Sequence, residues 1–355
     1  GQVLIGNATV GADGTWSLAV PPAFFDALEP GETFTVAATV DNDAGRTATD
    51  QQAGIEAFLP SLYAFANIAE SGATLSISAI AGEGLDTDGG ITTTMTFDPT
   101  RAAYVNGSDD NNLDLFIVNS ANAATGAVIF SGGTLSGPLA EGDELYSFDI
   151  TDQDNGPITL SFEDDTQGGP TELQIGTAGA DALTASNTDS VIQAKGGDDS
   201  IDVSATGTNV VVFELDQATN GTDTVTGFTT GDTFQSDVIA FLGQADLRGD
   251  GDFVETLATG GALGANTGFV IFTTALGDTD AATLETAFEG LFGENAGDVV
   301  YFLAGDGEDA ALARATVNGE DDASVEILAT FTGIGDLTQM NADNVILPDP
   351  ATVPV

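Results

Sequence analysis

Apolar and polar side chains alternate in short runs along most of this chain, as in Thr33-Phe34-Thr35-Val36-Ala37-Ala38-Thr39-Val40. A period of two places every second side chain on one face, so such runs predict strands with one buried side. The same texture recurs at Thr74 to Ile80, Ile91 to Phe97, Asp114 to Val118, Gly126 to Phe130, Glu144 to Ile150 and Ile158 to Phe162, with Gly, Asp, Asn and Thr between the runs. One stretch has a helical period instead: Ala281, Leu284, Phe288 and Leu291 share a face, with Thr279 and Asp280 ahead as cap candidates and Gly293 behind. Phe58 to Ile68 is a weaker helix or linker candidate, interrupted by Pro60. The pattern predicts an all-β fold: tandem β-sandwich domains, then a short parallel β-roll and a β-rich C-terminal cap with one helix.

The roll is read from residues 176 to 210. Written in nines, they run Gly176-Thr177-Ala178-Gly179-Ala180-Asp181-Ala182-Leu183-Thr184, Ala185-Ser186-Asn187-Thr188-Asp189-Ser190-Val191-Ile192-Gln193 and Ala194-Lys195-Gly196-Gly197-Asp198-Asp199-Ser200-Ile201-Asp202. Leu183, Ile192, Ile201 and Val210 recur at intervals of nine. Glycine gives a turn access to conformations other residues avoid, Asp supplies a hard carboxylate, and the aliphatic residue points inward. The first and third units resemble the G-G-x-G-x-D-x-U-x nonapeptide of RTX proteins, while the middle unit is degenerate, with Ser190 at the Asp position.

That resemblance implies a calcium-binding roll. Two nonapeptides complete one coil, so Asp181 and Asp199 face one Ca2+, with Asp198 beside them and carbonyls near Gly179 and Gly197 completing its shell. The side built from the degenerate unit binds weakly or not at all unless Asp189 or its neighbours substitute. The open alternative is a Gly/Asp-rich loop of chance periodicity. Downstream, Val210 to Glu214, Asn220 to Phe228 and Asp237 to Phe241 resemble the strands that cap such rolls. Asp298 to Leu303, Val325 to Gly333 and Leu337 to Val345 resemble the carboxy-terminal region of RTX surface proteins, a type of tail that carries an uncleaved export signal.

Two further resemblances lie upstream. Ala12-Asp13-Gly14-Thr15-Trp16-Ser17 through Val20-Pro21, with the Thr33 strand, resembles the later part of a bacterial Ig-like repeat. Its earlier strands are missing, so a neighbouring subunit or preceding chain is expected to supply them. Phe97-Asp98-Pro99-Thr100, Gly126 to Phe130 and Leu139 to Leu145 are similar in order to cohesin-like domains, with a plain spacer sandwich the alternative. The expected division is a partial Ig-like domain over 1–54, a cohesin-like sandwich over 55–170, the roll and its capping strands over 171–245, and a secretion or assembly region over 246–355.

Composition narrows the chemistry. Among 355 residues there are 56 Asp or Glu against five Lys or Arg, a formal charge of −51, and no His or Cys. No Ser-His-Asp or Cys-His nucleophile, thiolate or imidazole metal site, or disulfide can be assembled. The five bases lie far apart in sequence, which argues against nucleic acid and anionic membranes. No apolar run is long enough for a transmembrane helix, and residues 1–10 lack the features of a secretory signal. The absent initiator Met suggests a piece of a longer precursor. Salt adaptation, bound Ca2+ and a solvated acidic face all remain available to explain the charge.

Secondary candidates are an EF-hand-like loop at Asp246 to Asp252, with Arg248 at a ligand position, the tripeptide Arg248-Gly249-Asp250, and the carboxylate pairs Asp109 with Asp110 and Asp164 with Asp165. The expected protein is non-enzymatic, extracellular and at the cell surface. It is calcium-dependent and assembles with itself into an S-layer, filament or similar coat. The alternatives are a calcium-stabilised adhesin for a host or carbohydrate ligand and, more remotely, a carboxylate-based hydrolase.

Overall fold

The computed structural model describes residues 33–41, 47–56, 63–65, 74–80, 91–134, 144–164, 171–186, 189–205, 207–230, 237–241, 253–264, 267–291, 297–319, 322–340 and 344–346. The chain forms two compact units, Gly1–Ser61 and Leu62–Val355. In the first, β1 (Thr33–Asp41) pairs antiparallel with β2 (Thr47–Glu56), Thr39 opposite Thr49. The Asp13-Gly14 turn and Trp16 of the Ig-like arrangement lie outside the described residues.

The described residues of the second unit form three sheets. One joins β3 (Tyr63–Phe65), β4 (Thr74–Ile80), β10 (Glu144–Asp152) and β6 (Ala102–Tyr104) in that order, with β7 (Asp110–Asn111) also on β10. Within the Phe58 to Ile68 candidate the described residues are therefore strand, because Tyr63–Phe65 pairs with the edge of β4. The second sheet has the order β24 (Val345–Ile346), β18 (Val238–Phe241), β16 (Asn209–Phe213), β14 (Ser190–Gln193), β12 (Thr171–Ile175), β11 (Ile158–Asp164), β5 (Ile91–Phe97), β9 (Ala127–Gly133), β8 (Leu115–Asn119). The third runs β13 (Ala182–Thr184), β15 (Ser200–Asp202), β17 (Asp223–Thr226), β23 (Asp322–Thr332), β22 (Ala310–Gly319), β21 (Val299–Gly305), β20 (Thr267–Phe272), β19 (Phe253–Leu257).

The fold is all-β: sandwich strands such as β5 bury every second side chain, whereas β16, β20 and β21 are buried on both faces. In β5, Ile91, Met95 and Phe97 point inward while Thr94 and Thr96 face out. They meet Ile77, Phe130, Tyr146, Phe148, Leu160 and Phe162 in the sandwich core, where the Phe130 ring stacks on Tyr146 at 4.7 Å and on Phe148 at 5.0 Å. Such offset stacking adds to the area these rings bury.

Beyond β11 the second sheet changes character without breaking. β11 and β12 are antiparallel, but β12, β14, β16 and β18 are successive parallel neighbours, as are β13, β15 and β17 in the sheet opposite. The chain thus coils between two parallel sheets, with Leu183, Ile192, Ile201, Val211, Val225 and Ile239 in one shared core. The ninefold spacing holds through Ile201 and then slips by one: Val211 enters the roll, and Val210 packs into the sandwich core. The turn between β15 and β16 carries the extra residue.

Strands from the C-terminal side complete the roll. β17 pairs in parallel with β23, Val225 opposite Phe331, and β18 with β24, Ile239 opposite Val345. The helix Ala281–Glu289 lays Leu284 and Phe288 on the outer face of the third sheet, beside Phe302 and Val270. Small side chains on β22, Ala311, Ala313 and Ala315, are buried in the same layer. The helix starts at the expected Asp280, whose carboxylate accepts from the Thr283 amide at 2.7 Å.

Candidate metal centre

Three turns stack on one side of the roll, each leading from the second sheet into the third: residues 176–181, 194–199 and 214–222. Each leads to an aspartate two positions before an inward aliphatic residue, namely Asp181 before Leu183, Asp199 before Ile201 and Asp223, the first residue of β17, before Val225. The parallel register brings those aspartates into a column.

Within the column the second and third carboxylates reach back to the preceding turn. Asp199 Oδ1 accepts from the Asp181 amide at 2.7 Å, and Asp223 Oδ1 accepts from the Asp199 amide at 3.0 Å. Asp181 Oδ2 closes its own turn, accepting from the Thr177 amide at 2.6 Å and hydroxyl at 2.9 Å. Asp198, exposed, braces the next turn by accepting from the Thr222 amide at 3.0 Å. The turns pack backbone against backbone. A Cβ on Gly197, whose φ is +118°, would lie 2.6 Å from the Gly179 carbonyl carbon. Only glycine accommodates both that conformation and that approach.

The sequence-predicted residues Gly179, Asp181, Gly197, Asp198 and Asp199 therefore come together. Asp189 sits across the roll, where its Oδ1 accepts from the Thr208 amide at 2.8 Å. On that side Ser190 and Asn209 occupy the column positions above Asp237. Asp237, buried, takes four hydrogen bonds, from the amides of Asn209 and Thr229, the Asn209 side chain and the Thr229 hydroxyl.

Two acids on the glycine side are missing from the sequence reading. Asp223 is 1% exposed and held by Asn220 Nδ2 at 3.0 Å, and Glu214 opens the third turn. The Asp-x-aliphatic spacing of Asp223-Thr224-Val225 was the available signal for the first. It was masked because the third turn is enlarged: Asp181 and Asp199 are 18 residues apart, Asp199 and Asp223 are 24. The extra length forms the short helical turn Gln217–Asn220, capped by Asp216. Nothing in the local sequence marks Glu214.

The electrostatics of the column are unusual for carboxylates. Burial pushes Asp199 up to about 6, Glu214 to about 7 and Asp223 to about 8, with neighbouring negative charges adding to the rise. Asp199 is 3% exposed, and its Oδ2 has no hydrogen-bond partner, nor does Glu214 Oε2. A buried carboxylate oxygen left without a donor carries a desolvation cost that a proton or a cation relieves. The donors at hand are hard oxygens, which suit Ca2+. Among the described residues no three carboxylates gather at metal-ligand spacing. A cation here would draw on Asp181, Asp199 and main-chain carbonyls such as those of Gly179 and Gly197.

Of the secondary candidates, Asp246 to Asp252 and Asp165 lie outside the described residues. Asp109 Oδ1 accepts from the Tyr104 hydroxyl at 2.8 Å, which ties this acid into the sandwich wall.

No family model matches the chain, and no curated protein matches it. Solved structures similar to parts of it include a type II cohesin domain from the cellulosome of Acetivibrio cellulolyticus, at 16% identity over 30% of this chain and 77% of that one, with a TM-score of 0.24. A cohesin module from a Clostridium perfringens family 33 glycoside hydrolase is 7% identical over 34% of this chain and 96% of its own, with a TM-score of 0.24. The AlgE6R3 subunit of a mannuronan C5-epimerase from Azotobacter vinelandii is 18% identical over 51% of this chain and 84% of that one, with a TM-score of 0.23. These scores leave the assignment to the chain's own geometry.

Proposed function

We propose that this chain is a calcium-stabilised, non-catalytic structural module of an extracellular surface assembly, exported by a type I route as RTX proteins are. The observation that carries the reading is the Asp199 carboxylate, buried between stacked Gly-rich turns with one oxygen unpartnered. Without a cation the buried acids of the column must hold protons or repel one another; with one, Asp181, Asp199 and the turn carbonyls acquire a common partner. Metal binding is then part of folding. At the low Ca2+ of a cell interior the roll lacks this stabilisation, which suits passage through an export channel. Outside, millimolar Ca2+ matches the affinity of extracellular modules, and a site at a hundredfold saturation adds about 2.7 kcal/mol. Lacking His and Cys, the chain is assigned a load-sharing rather than a catalytic part.

Calorimetry with millimolar Ca2+ and with excess chelator tests the metal half of this reading, and a higher Tm with Ca2+ is expected. Identical melting in the two conditions overturns it. Electron microscopy of the same samples tests the assembly half: ordered arrays that chelator dissolves support a coat, whereas a Ca2+-loaded monomer that binds glycans supports an adhesin.

A further inference from the structure

Strand β8 ends the second sheet, and among the described residues it pairs only with β9. Its inner face is anchored, since the Phe116 ring stacks against Phe130 and Tyr146 at 6.3 and 5.6 Å. That anchoring turns the alternate residues outward. Leu115 is 59% exposed and Ile117 71%, and these two are the exposed large hydrophobic side chains among the described residues. An open strand edge bearing adjacent apolar side chains is a template for strand addition.

Charge identifies the occupant. In a chain with a formal charge of −51, the segment Leu115-Phe116-Ile117-Val118-Asn119 holds no charged residue. The positions beside it on the same face are Ser131 and Ile129 of β9 and, next to them, Thr92 and Thr94 of β5. Copies of so acidic a chain repel over most of their surface, and they approach most readily where acids are missing from both. We propose that β8 is the interface between two copies of this chain, joined antiparallel about a two-fold axis at Phe116 so that the two nine-stranded sheets become one. This deepens the self-association part of the function proposed above and rests on that part.

The register is self-complementary. Opposite residues sum to the same number across a two-fold, so Leu115 of each copy faces Ile117 of the other, and Asp114 faces Val118 rather than another acid. The apolar pairs supply the burial, and the backbone edge supplies the hydrogen bonds. Added salt screens repulsion between the copies while leaving the apolar contact intact, so this association strengthens as ionic strength rises, opposite to one built on ion pairs.

The test uses the full chain in sedimentation velocity across a concentration series, in chelator and in Ca2+. Wild type is expected to dimerise, more so at high salt. Ile117→Glu should remain monomeric, while Thr96→Glu, which adds the same charge at an exposed position on β5, should dimerise like wild type; circular dichroism checks that both are folded. Because the chain has no cysteine, register is read by mild oxidation. A mixture of Leu115→Cys and Ile117→Cys chains should cross-link faster than either alone, opposite residues of an antiparallel pair lying within disulfide reach. A monomeric wild type, equal dimerisation of Ile117→Glu, or equal cross-linking of all three samples overturns the proposal. Its failure is separable from that of the assembly reading: Ca2+-dependent arrays formed by Ile117→Glu retain the coat and discard this interface, whereas dimers without arrays do the reverse.

Discussion

At the scale of single residues, Asp199 is asked to do two incompatible things. Its Oδ1 holds the Asp181 amide at 2.7 Å, a bond that any carbonyl oxygen can accept, while its Oδ2 is buried with no donor. Asp199→Asn separates the roles, because the amide oxygen keeps the first and the side chain loses the charge that a cation needs. In chelator the variant should melt at or above the wild-type temperature. Its Ca2+-linked gain should fall from about 2.7 kcal/mol at hundredfold saturation toward zero, read as the loss of the Tm shift on adding Ca2+. Gly197 is constrained differently, by space and by φ. Gly197→Ala forces a Cβ against the Gly179 carbonyl carbon and holds alanine at φ +118°. The backbone strain alone should cost roughly 1–3 kcal/mol, measurable by denaturant unfolding in saturating Ca2+. Both residues were legible in sequence, because a nonapeptide turn is a local object and its glycine and aspartate sit at fixed offsets from the strand that follows.

At the scale of elements, legibility followed locality in the same way. The helix was readable because its cap and its apolar face lie within a dozen residues, and Asp280, Leu284 and Phe288 occupy the expected places. Its end was less so: the helix stops at Glu289 with Gly290 following, ahead of the expected Gly293. The coils were readable for one and a half turns and then drifted. One extra residue between β15 and β16 moved Val210 to the sandwich and Val211 to the roll, and a side-chain period of two makes any odd insertion change faces. The enlarged third turn then hid Asp223, although its strand stacks on β15 in the same register as β15 on β13. Repeat periods count residues, whereas the fold counts strands, and turns of different length separate the two.

At the scale of the whole molecule, buried acids make metal-free stability depend on pH. Asp199, Glu214 and Asp223 have folded values near 6, 7 and 8 against unfolded values of 3.8, 4.5 and 3.8. A raised carboxyl binds its proton more tightly folded than unfolded. The stability it contributes is complete below the unfolded value and lost as pH rises through the folded one. In chelator, Tm should therefore fall between about pH 4 and about pH 8. Relief of the overall self-repulsion acts in the same direction, but salt screens that part, so the fall that persists in concentrated NaCl belongs to the buried column. A Tm independent of pH in chelator and high salt would contradict the burial of these acids. Saturating Ca2+ should flatten or reverse the slope, since the cation competes with the protons.

Side-chain periods and turn chemistry over a few residues were enough to mark the all-β class, the helix, six strands of the sandwich and the stacking of the Asp181 and Asp199 turns. Which acids share the column emerged from long-range strand pairing alone. That pairing also ran one sheet from the sandwich through the roll to β24 and, among the described residues, left β8 with β9 as its one strand neighbour. The reason is the same for all of these: parallel pairing joins segments whose separation in sequence is set by the turns and insertions between them, as when Val225 meets Phe331. A buried carboxylate is likewise indistinguishable from a solvated one until the strand that covers it has arrived.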